Sequence, residues 1–231
     1  MHYVRTGHGK TLVVFVHGSP GSWEAFAEFL RDEELTTQAT LISVDRLGFG
    51  ESFPTGPEPL LQNQESLIRQ IIELETRRLN SRDVVLLGHS FGGPIIARVA
   101  AHADYNFTLV FIAAAVDPDL EEVTWYQTAG NWFWVRWLLP RDVDNANQEI
   151  LPLKRELEKM LPCWPKVRSR IFVLQGTDDS LVPAANAEFI RNQLKALNPE
   201  ILYIPKQGHF IPWERADLIK NVIINQLRRQ R

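Results

Sequence analysis

One serine in this chain stands where a nucleophile could be made from it. Gly88-His89-Ser90-Phe91-Gly92 follows the apolar run Val84 to Leu87 directly and leads into the helix-like segment Gly93 to Ala101. The pattern Gly-x-Ser-x-Gly carries little weight alone. With Gly and Ser each at about 7% of residues, it arises by chance in roughly one chain of this length in twelve. Its context gives it meaning. A serine on a sharp strand-to-helix turn adopts a strained backbone, and the residues two before and two after it lie too close to their neighbours to carry side chains. Gly88 and Gly92 meet that demand. Such a turn lifts the hydroxyl clear of the strand ends and sets it at a helix N-terminus, where free N–H groups and the positive end of the dipole favour a developing negative charge.

A serine hydroxyl is a weak nucleophile near neutral pH, so it needs a base within hydrogen-bond reach and a group that orients the base. Six histidines are available. His2 and His8 lie near the start of the chain, His102 falls at a helix end, and His89 points away from its neighbour on such a turn. His17 follows a different strand, in a loop of its own. His209, in Gly208-His209-Phe210, comes just past the last strand-like run. That places it at the carboxyl edge of a parallel sheet, the edge that also carries Ser90. The orienting acid should come from another loop on that edge. Gly176-Thr177-Asp178-Asp179-Ser180-Leu181-Val182-Pro183 follows the run Arg170 to Leu174. Either aspartate can serve, the other being a turn former.

The elements that position these residues are legible in the apolar pattern. Runs rich in Val, Ile and Leu recur at Thr11 to Val16, Thr40 to Val44, Val84 to Leu87, Thr108 to Ile112, Arg170 to Leu174 and Ile201 to Ile204. They are continuous rather than alternating, which predicts strands buried on both faces. Between most of them, apolar residues repeat at three- and four-residue spacing, as in Leu67, Ile68, Ile71, Ile72 and Leu74, or Phe189, Ile190, Leu194 and Leu197. These are amphipathic helices. Strand and helix in alternation predict an α/β fold, a mostly parallel sheet with helices on both faces. From Asp117 to about Pro165 no strand-like run appears, and five of the seven tryptophans, Trp125, Trp132, Trp134, Trp137 and Trp164, fall there. The expectation is a core of residues 1–116 and 166–231 with an inserted helical cap, 117–165. Its tryptophans would roof the carboxyl edge, with Trp125, Trp132, Trp134 and Trp137 lining an apolar pocket for a small-molecule substrate. Gln127, Asn131 and Arg136 interrupt the aromatic run Trp125 to Leu139, which argues against stable membrane insertion. Arg228, Arg229 and Arg231 suit the C-terminal end of a last helix.

Composition narrows the classes further. The chain has 231 residues, 45% hydrophobic, enough for one substantial core and too few for two catalytic domains. A net charge of −3 provides no excess of cations for a nucleic-acid partner. The single cysteine, Cys163, excludes an intrachain disulfide and, with no signal-like N-terminus or membrane-length apolar window, predicts a cytoplasmic protein. Oligomeric state is not legible.

Together, His17-Gly18-Ser19-Pro20-Gly21, Asp45-Arg46-Leu47-Gly48-Phe49-Gly50-Glu51-Ser52, Gly88 to Gly93, Gly176 to Pro183 and Gly208-His209 resemble the α/β-hydrolase superfamily, in particular a serine esterase-like member with a short cap. The resemblance implies the α/β-hydrolase fold, with Ser90 as nucleophile, His209 as base and Asp179 as acid. Asp179 is chosen because the family pattern Gly-x-x-Asp-x-x-Val-Pro starts at Gly176. Some relatives place the acid after the preceding core strand, where Asp117 stands. The oxyanion donors implied are the backbone N–H groups of Ser19 and Phe91; Pro20 has none to give. His17 and the Asp45 to Ser52 stretch would shape loops. Relatives acting as dehalogenases or epoxide hydrolases carry Asp where this chain has Ser90. Proline-specific peptidases carry His-Gly-Gly-Pro-Gly where this chain has Ser19, so both activities are disfavoured. The expected activity is hydrolysis of carboxylic esters of small, largely apolar substrates through an acyl-enzyme, with no metal or organic cofactor. Thioester, lactone or carbon–carbon bond hydrolysis are the neighbouring chemistries. A receptor-like ligand-binding protein on the same fold is the rival of another class.

Overall fold

The computed structural model describes residues 1–121, 128 and 138–229. All six apolar runs are strands. They form β2 (Thr11–Val16), β3 (Ala39–Val44), β4 (Asp83–His89), β5 (Asn106–Ile112), β6 (Arg170–Gly176) and β7 (Glu200–Ile204), and β1 (Tyr3–Gly7) precedes them. The sheet order is β1-β3-β2-β4-β5-β6-β7. β1 lies antiparallel to β3, and every other pairing is parallel. The opening antiparallel segment is therefore a single five-residue strand that closes one edge.

Helices α1 (Ala27–Arg31), α2 (Glu33–Gln38), α3 (Leu61–Leu79), α4 (Gly92–His102), α5 (Arg141–Ile150), α6 (Leu153–Met160), α7 (Ala185–Gln193), α8 (Ile211–Glu214) and α9 (Ala216–Arg229) follow or separate the strands. Successive strand residues face opposite sides, so one strand feeds two cores. Leu12, Val14 and Val16 of β2 pack on the side of α3, α4 and α6. Val13 and Phe15 pack with α1 and α9 on the other side, where Phe15 stacks on Phe26 and Phe29. The last turn of α9 carries Arg228 and Arg229, where the dipole favours cations; Arg231 lies outside the described residues.

The strand order places the site. From β2 the chain steps outward to β3, then returns past β2 to β4, so the connections after β2 and β4 diverge from neighbouring strands. Val16 pairs with Gly88 at that point. A crevice outside the carboxyl ends, at the reversal of strand order, is where ligands bind in open α/β sheets.

Among the described residues of 117–165 there is no strand: a short turn of 3-10 helix at Pro118–Leu120, then α5, α6 and a second 3-10 turn at Leu161–Lys166. Trp125, Trp132, Trp134 and Trp137 lie outside the described residues. Trp164 does not belong to a roof. It is wholly buried in the central core beside Phe111 (6.2 Å between ring centres) and edge-on to Phe189 (5.7 Å). Leu153, Leu157 and Met160 join the same core, because the apolar face of α6 packs against the two flanking 3-10 turns, the second of which, Leu161–Lys166, lies on α4. No described helix is long and apolar enough to cross a membrane.

Among the described residues, the indole N–H of Trp164 has no hydrogen-bond partner. Truncating Trp164 to Ala should destabilise the fold by about 3–5 kcal/mol. Trp164→Phe, which removes the orphaned donor and keeps most of the ring, should cost less than about 1.5 kcal/mol. Urea unfolding of the two variants checks this; equal losses would mean the indole N–H has a partner.

Candidate active site

Ser90 occupies the turn between β4 and α4 with φ +52°, a left-handed conformation that β-carbon-bearing residues rarely adopt. The turn is locked by backbone bonds: Ser90 N–H to Ile112 O (3.0 Å), Gly93 N–H to Ser90 O (2.9 Å) and Ala115 N–H to Ser90 O (3.2 Å). Its two glycines are sterically required. A β-carbon on Gly88 would lie 2.5 Å from Gly92 O, and one on Gly92 would lie 2.3 Å from Val16 O. β2 and the turn are in backbone contact, which brings the loop after β2 beside Ser90.

His209 leaves β7 on a short loop and is buried. Its Nδ1 lies 2.8 Å from Asp179 Oδ2, so in the neutral ring Nδ1–H donates and Nε2 is the unprotonated nitrogen. The β6 loop reaches His209 through backbone ties to the β7 loop, Thr177 N–H to Ile204 O (3.1 Å) and Asp178 N–H to Gln207 O (3.0 Å). Asp179 Oδ1 accepts from Leu181 N–H (2.9 Å) and Val182 N–H (2.8 Å), so the carboxylate is fully engaged. Burial alone would raise its pKa. The bonds from His209, Val182 and Leu181 outweigh burial and hold it below the usual carboxylate range. The other two acids are elsewhere. Asp178 is exposed and accepts from Thr177 Oγ1 (2.8 Å), and Asp117 Oδ1 caps the 3-10 turn through Asp119 N–H (3.0 Å).

His89 has a place that its sequence context does not reveal. It does turn from the serine, and its Nε2–H donates to the backbone carbonyl of His209 (3.0 Å), with the two rings 4.7 Å apart. Trp213 closes the other side, edge-on at 5.6 Å. Burial, reinforced by His209, pushes the His89 pKa down to about 3, which leaves a neutral donor that braces the backbone of His209. Phe210 and Trp213 flank this pair and are each 52% exposed.

The loop after β2 carries His17, Gly18 and Ser19. His17 is fully buried; its Nδ1–H donates to Gly18 O (2.7 Å) and its Nε2 accepts from Arg46 N–H (3.0 Å). Burial and the charge of Arg46 hold it neutral. Asp45, also buried, accepts from Trp23 N–H (2.7 Å), Glu51 N–H (3.0 Å) and His2 Nδ1 (2.6 Å). His17 and the stretch from Asp45 thus shape loops, as expected. Among the described residues, neither Ser19 N–H nor Phe91 N–H is spent on a protein acceptor, and no group of His, Cys, Asp and Glu is arranged to hold a metal ion.

With this geometry in place, comparison with known proteins places the chain. Residues 13–221 match the model of the alpha/beta hydrolase family. A proline iminopeptidase of Clostridioides difficile (strain 630) is 38% identical over 85 residues, which is 37% of this chain and 28% of that protein. One from Lactobacillus crispatus (strain ST1) is 33% identical over 84 residues, 36% of this chain and again 28% of the relative. The matching stretch thus spans under a third of these relatives' length. Among solved structures, a lipase-esterase related protein from Clostridium acetobutylicum ATCC 824 superposes with a TM-score of 0.76 at 19% identity, over 97% of this chain and 98% of that one. The esterase EaEST from Exiguobacterium antarcticum gives 0.74 at 19% identity, over 98% and 95%. These structures share the fold.

The two neutral histidines make stability depend on pH. Below about pH 6.5 the unfolded chain takes up protons that buried His17 and His89 refuse, so their contribution is complete above that pH and is lost as pH falls, for His89 down to about 3. Each should remove about 1.4 kcal/mol per pH unit, or about 2 kcal/mol between pH 6.5 and 5. His89→Gln, whose amide can still donate to His209 O, should shed one histidine's share of that slope in urea unfolding. An unchanged slope would mean His89 is protonated in the fold.

Proposed function

The chain belongs to the alpha/beta hydrolase family, and on that premise we propose that it hydrolyses carboxylic esters through an acyl-enzyme on Ser90. The observation that carries this reading is the buried His209–Asp179 pair at 2.8 Å, which commits Nδ1 to the carboxylate and leaves Nε2 without a partner among the described residues, on the sheet edge that also carries the strained Ser90 turn. In the first step His209 Nε2 takes the proton of Ser90 as Oγ attacks the ester carbonyl. The N–H groups of Ser19 and Phe91 receive the oxyanion, aided by the N-terminus of α4. His209 then protonates the departing alcohol oxygen. In the second step water loses a proton to His209, attacks the acyl group, and Ser90 recovers its proton. Asp179 stays ionised throughout, in keeping with its depressed pKa, and stabilises the imidazolium.

For the substrate we propose small, largely apolar esters. The part of segment 117–165 that precedes α6 would act as a cap over the carboxyl edge, with Trp125, Trp132, Trp134 and Trp137 as acyl-pocket walls. Aromatic walls offer contact area and few charges. A buried methylene is worth about 0.8 kcal/mol, or roughly fourfold in kcat/KM, until the pocket is full. The lipase- and esterase-type structures of similar fold support this class. A second reading, cleavage after an N-terminal residue of a peptide, is favoured by the two proline iminopeptidase relatives. Ser19 in place of the second glycine of His-Gly-Gly-Pro-Gly weighs against it.

Turnover of p-nitrophenyl acetate, butyrate and hexanoate beside proline p-nitroanilide separates the readings. The esters should be cut, with kcat/KM rising from acetate toward butyrate or hexanoate. Preferential cleavage of the anilide would replace the ester reading with the peptidase one. Asp179→Asn should lower kcat by up to about 10⁴-fold by holding the wrong tautomer of His209. Asp178→Asn and Asp117→Asn should keep most of the activity, and a larger loss at either would move the acid there.

A further inference from the structure

A second buried ion pair lies behind the loop that carries Ser19. Arg46, just after β3, and Glu149, near the end of α5, are both wholly inaccessible, with Nη1 at 3.0 and 2.9 Å from the two carboxylate oxygens. The rest of the guanidinium is given to the Ser19 loop: Nε donates to His17 O (3.1 Å) and Nη2 to Gly18 O (2.9 Å). Glu149 takes hold of the same loop from its other side, accepting Ser19 Oγ–H (3.0 Å), and is fixed by Gln64 Nε2 (2.8 Å). The guanidinium is sandwiched by Phe91 (4.6 Å to the ring centre) and Phe49 (5.0 Å). One cation therefore touches the loop of Ser19 and the side chain of Phe91.

The Gly18 carbonyl and the Ser19 N–H belong to one planar, trans peptide group and point in opposite directions. Whatever holds the carbonyl aims the N–H. Arg46 Nη2 and His17 Nδ1 hold it from behind, leaving the N–H to face the other way. Net stability does not explain such a pair. Desolvating two charges offsets most of their attraction, and apolar replacements of both partners are often neutral or stabilising. A two-pronged guanidinium that reaches two consecutive carbonyls and a carboxylate supplies direction instead.

We infer that Arg46 and Glu149 are positioning residues that aim the Ser19 N–H at the oxyanion, with Glu149 making that aim depend on α5 being seated. The inference rests on the reading of Ser90 as the nucleophile. Neither side chain touches the reacting atoms. Both act through the Gly18–Ser19 peptide, so their loss should appear in the transition state rather than in substrate binding.

The test is the double variant Arg46→Met/Glu149→Leu, which removes both charges together, beside Arg46→Lys. The double variant should melt close to the wild type. Its kcat for p-nitrophenyl butyrate should fall about 10²- to 10³-fold, as when one oxyanion donor is lost, with KM shifting less than about threefold. Arg46→Lys should fall between, because one ammonium cannot hold both carbonyls and the carboxylate. The Ser19 amide should shift in the 1H–15N spectrum of both variants. A folded double variant with wild-type kcat would overturn the inference, as would a loss confined to KM. Should the double variant not fold, Arg46→Lys with wild-type kcat and an unmoved Ser19 amide overturns it equally. Absence of ester turnover in the wild type would defeat the ester reading separately. The Ser19 amide of the double variant would then decide the inference by itself, an unmoved resonance counting against it.

Discussion

Ser90 is held at φ +52°, a conformation that costs a serine about 1–3 kcal/mol and persists only where the surroundings over-determine it. Much of the fold serves that constraint. Three backbone bonds from the ends of β4 and β5 and the start of α4 hold the turn, and the close approach of Gly92 to Val16 O allows no other packing. Among the described residues, Phe91 N–H is left unspent at the start of α4. The reading of Ser90 as a nucleophile therefore draws on the same geometry that makes the turn unfavourable.

Around this turn the chain buries polar side chains that are nearly all engaged. Asp45 gathers the N-terminus, the segment at Trp23 and the Glu51 loop on one carboxylate. His17 and His89 are neutral rings that donate one proton each to a carbonyl, and each carbonyl belongs to a residue of the site, Gly18 or His209. Satisfied polar groups in a low-dielectric interior rigidify what they touch, since breaking any of these bonds strands a buried donor or acceptor. Loops rather than strands carry the candidate catalytic groups here, and this network ties those loops to the sheet beneath them.

Ser19 is where the chain parts from the glycine of the His-Gly-Gly-Pro-Gly loop. Its hydroxyl is not idle, because it donates to Glu149. A glycine could be aimed only through its backbone, whereas Ser19 is held by its own side chain as well as by the Gly18 carbonyl. Glu149 reaches it from α5, so the segment between β5 and β6 bears on the Ser19 loop through a carboxylate.

The sequence by itself determined the architecture and most of the site. Six continuous apolar runs became the six parallel strands, since a strand buried on both faces needs no partner to be recognised. Ser90 and His209 were legible because a turn and a strand end are local features, and crowding at Gly88 follows from the turn alone, whereas Gly92 is crowded by Val16 of β2. The acid was not settled by local pattern, as Asp178 and Asp179 are adjacent and chemically alike. Only the fold turned one inward onto His209 and left the other in solvent. Trp164 looked like its aromatic neighbours in the chain and proved to be core, because the packing of the 3-10 turn Leu161–Lys166 against α4 is a tertiary choice. The support of His89 for His209 and the grip of Arg46 and Glu149 on the Ser19 loop had no signature at all. Their partners are separated by 120 and 103 residues, and hydrogen bonds at such separations are set by how strands are ordered in the sheet. Periodicity reports which face of an element is buried, whereas the strand order, reversing between β2 and β4, decides what each buried polar group meets.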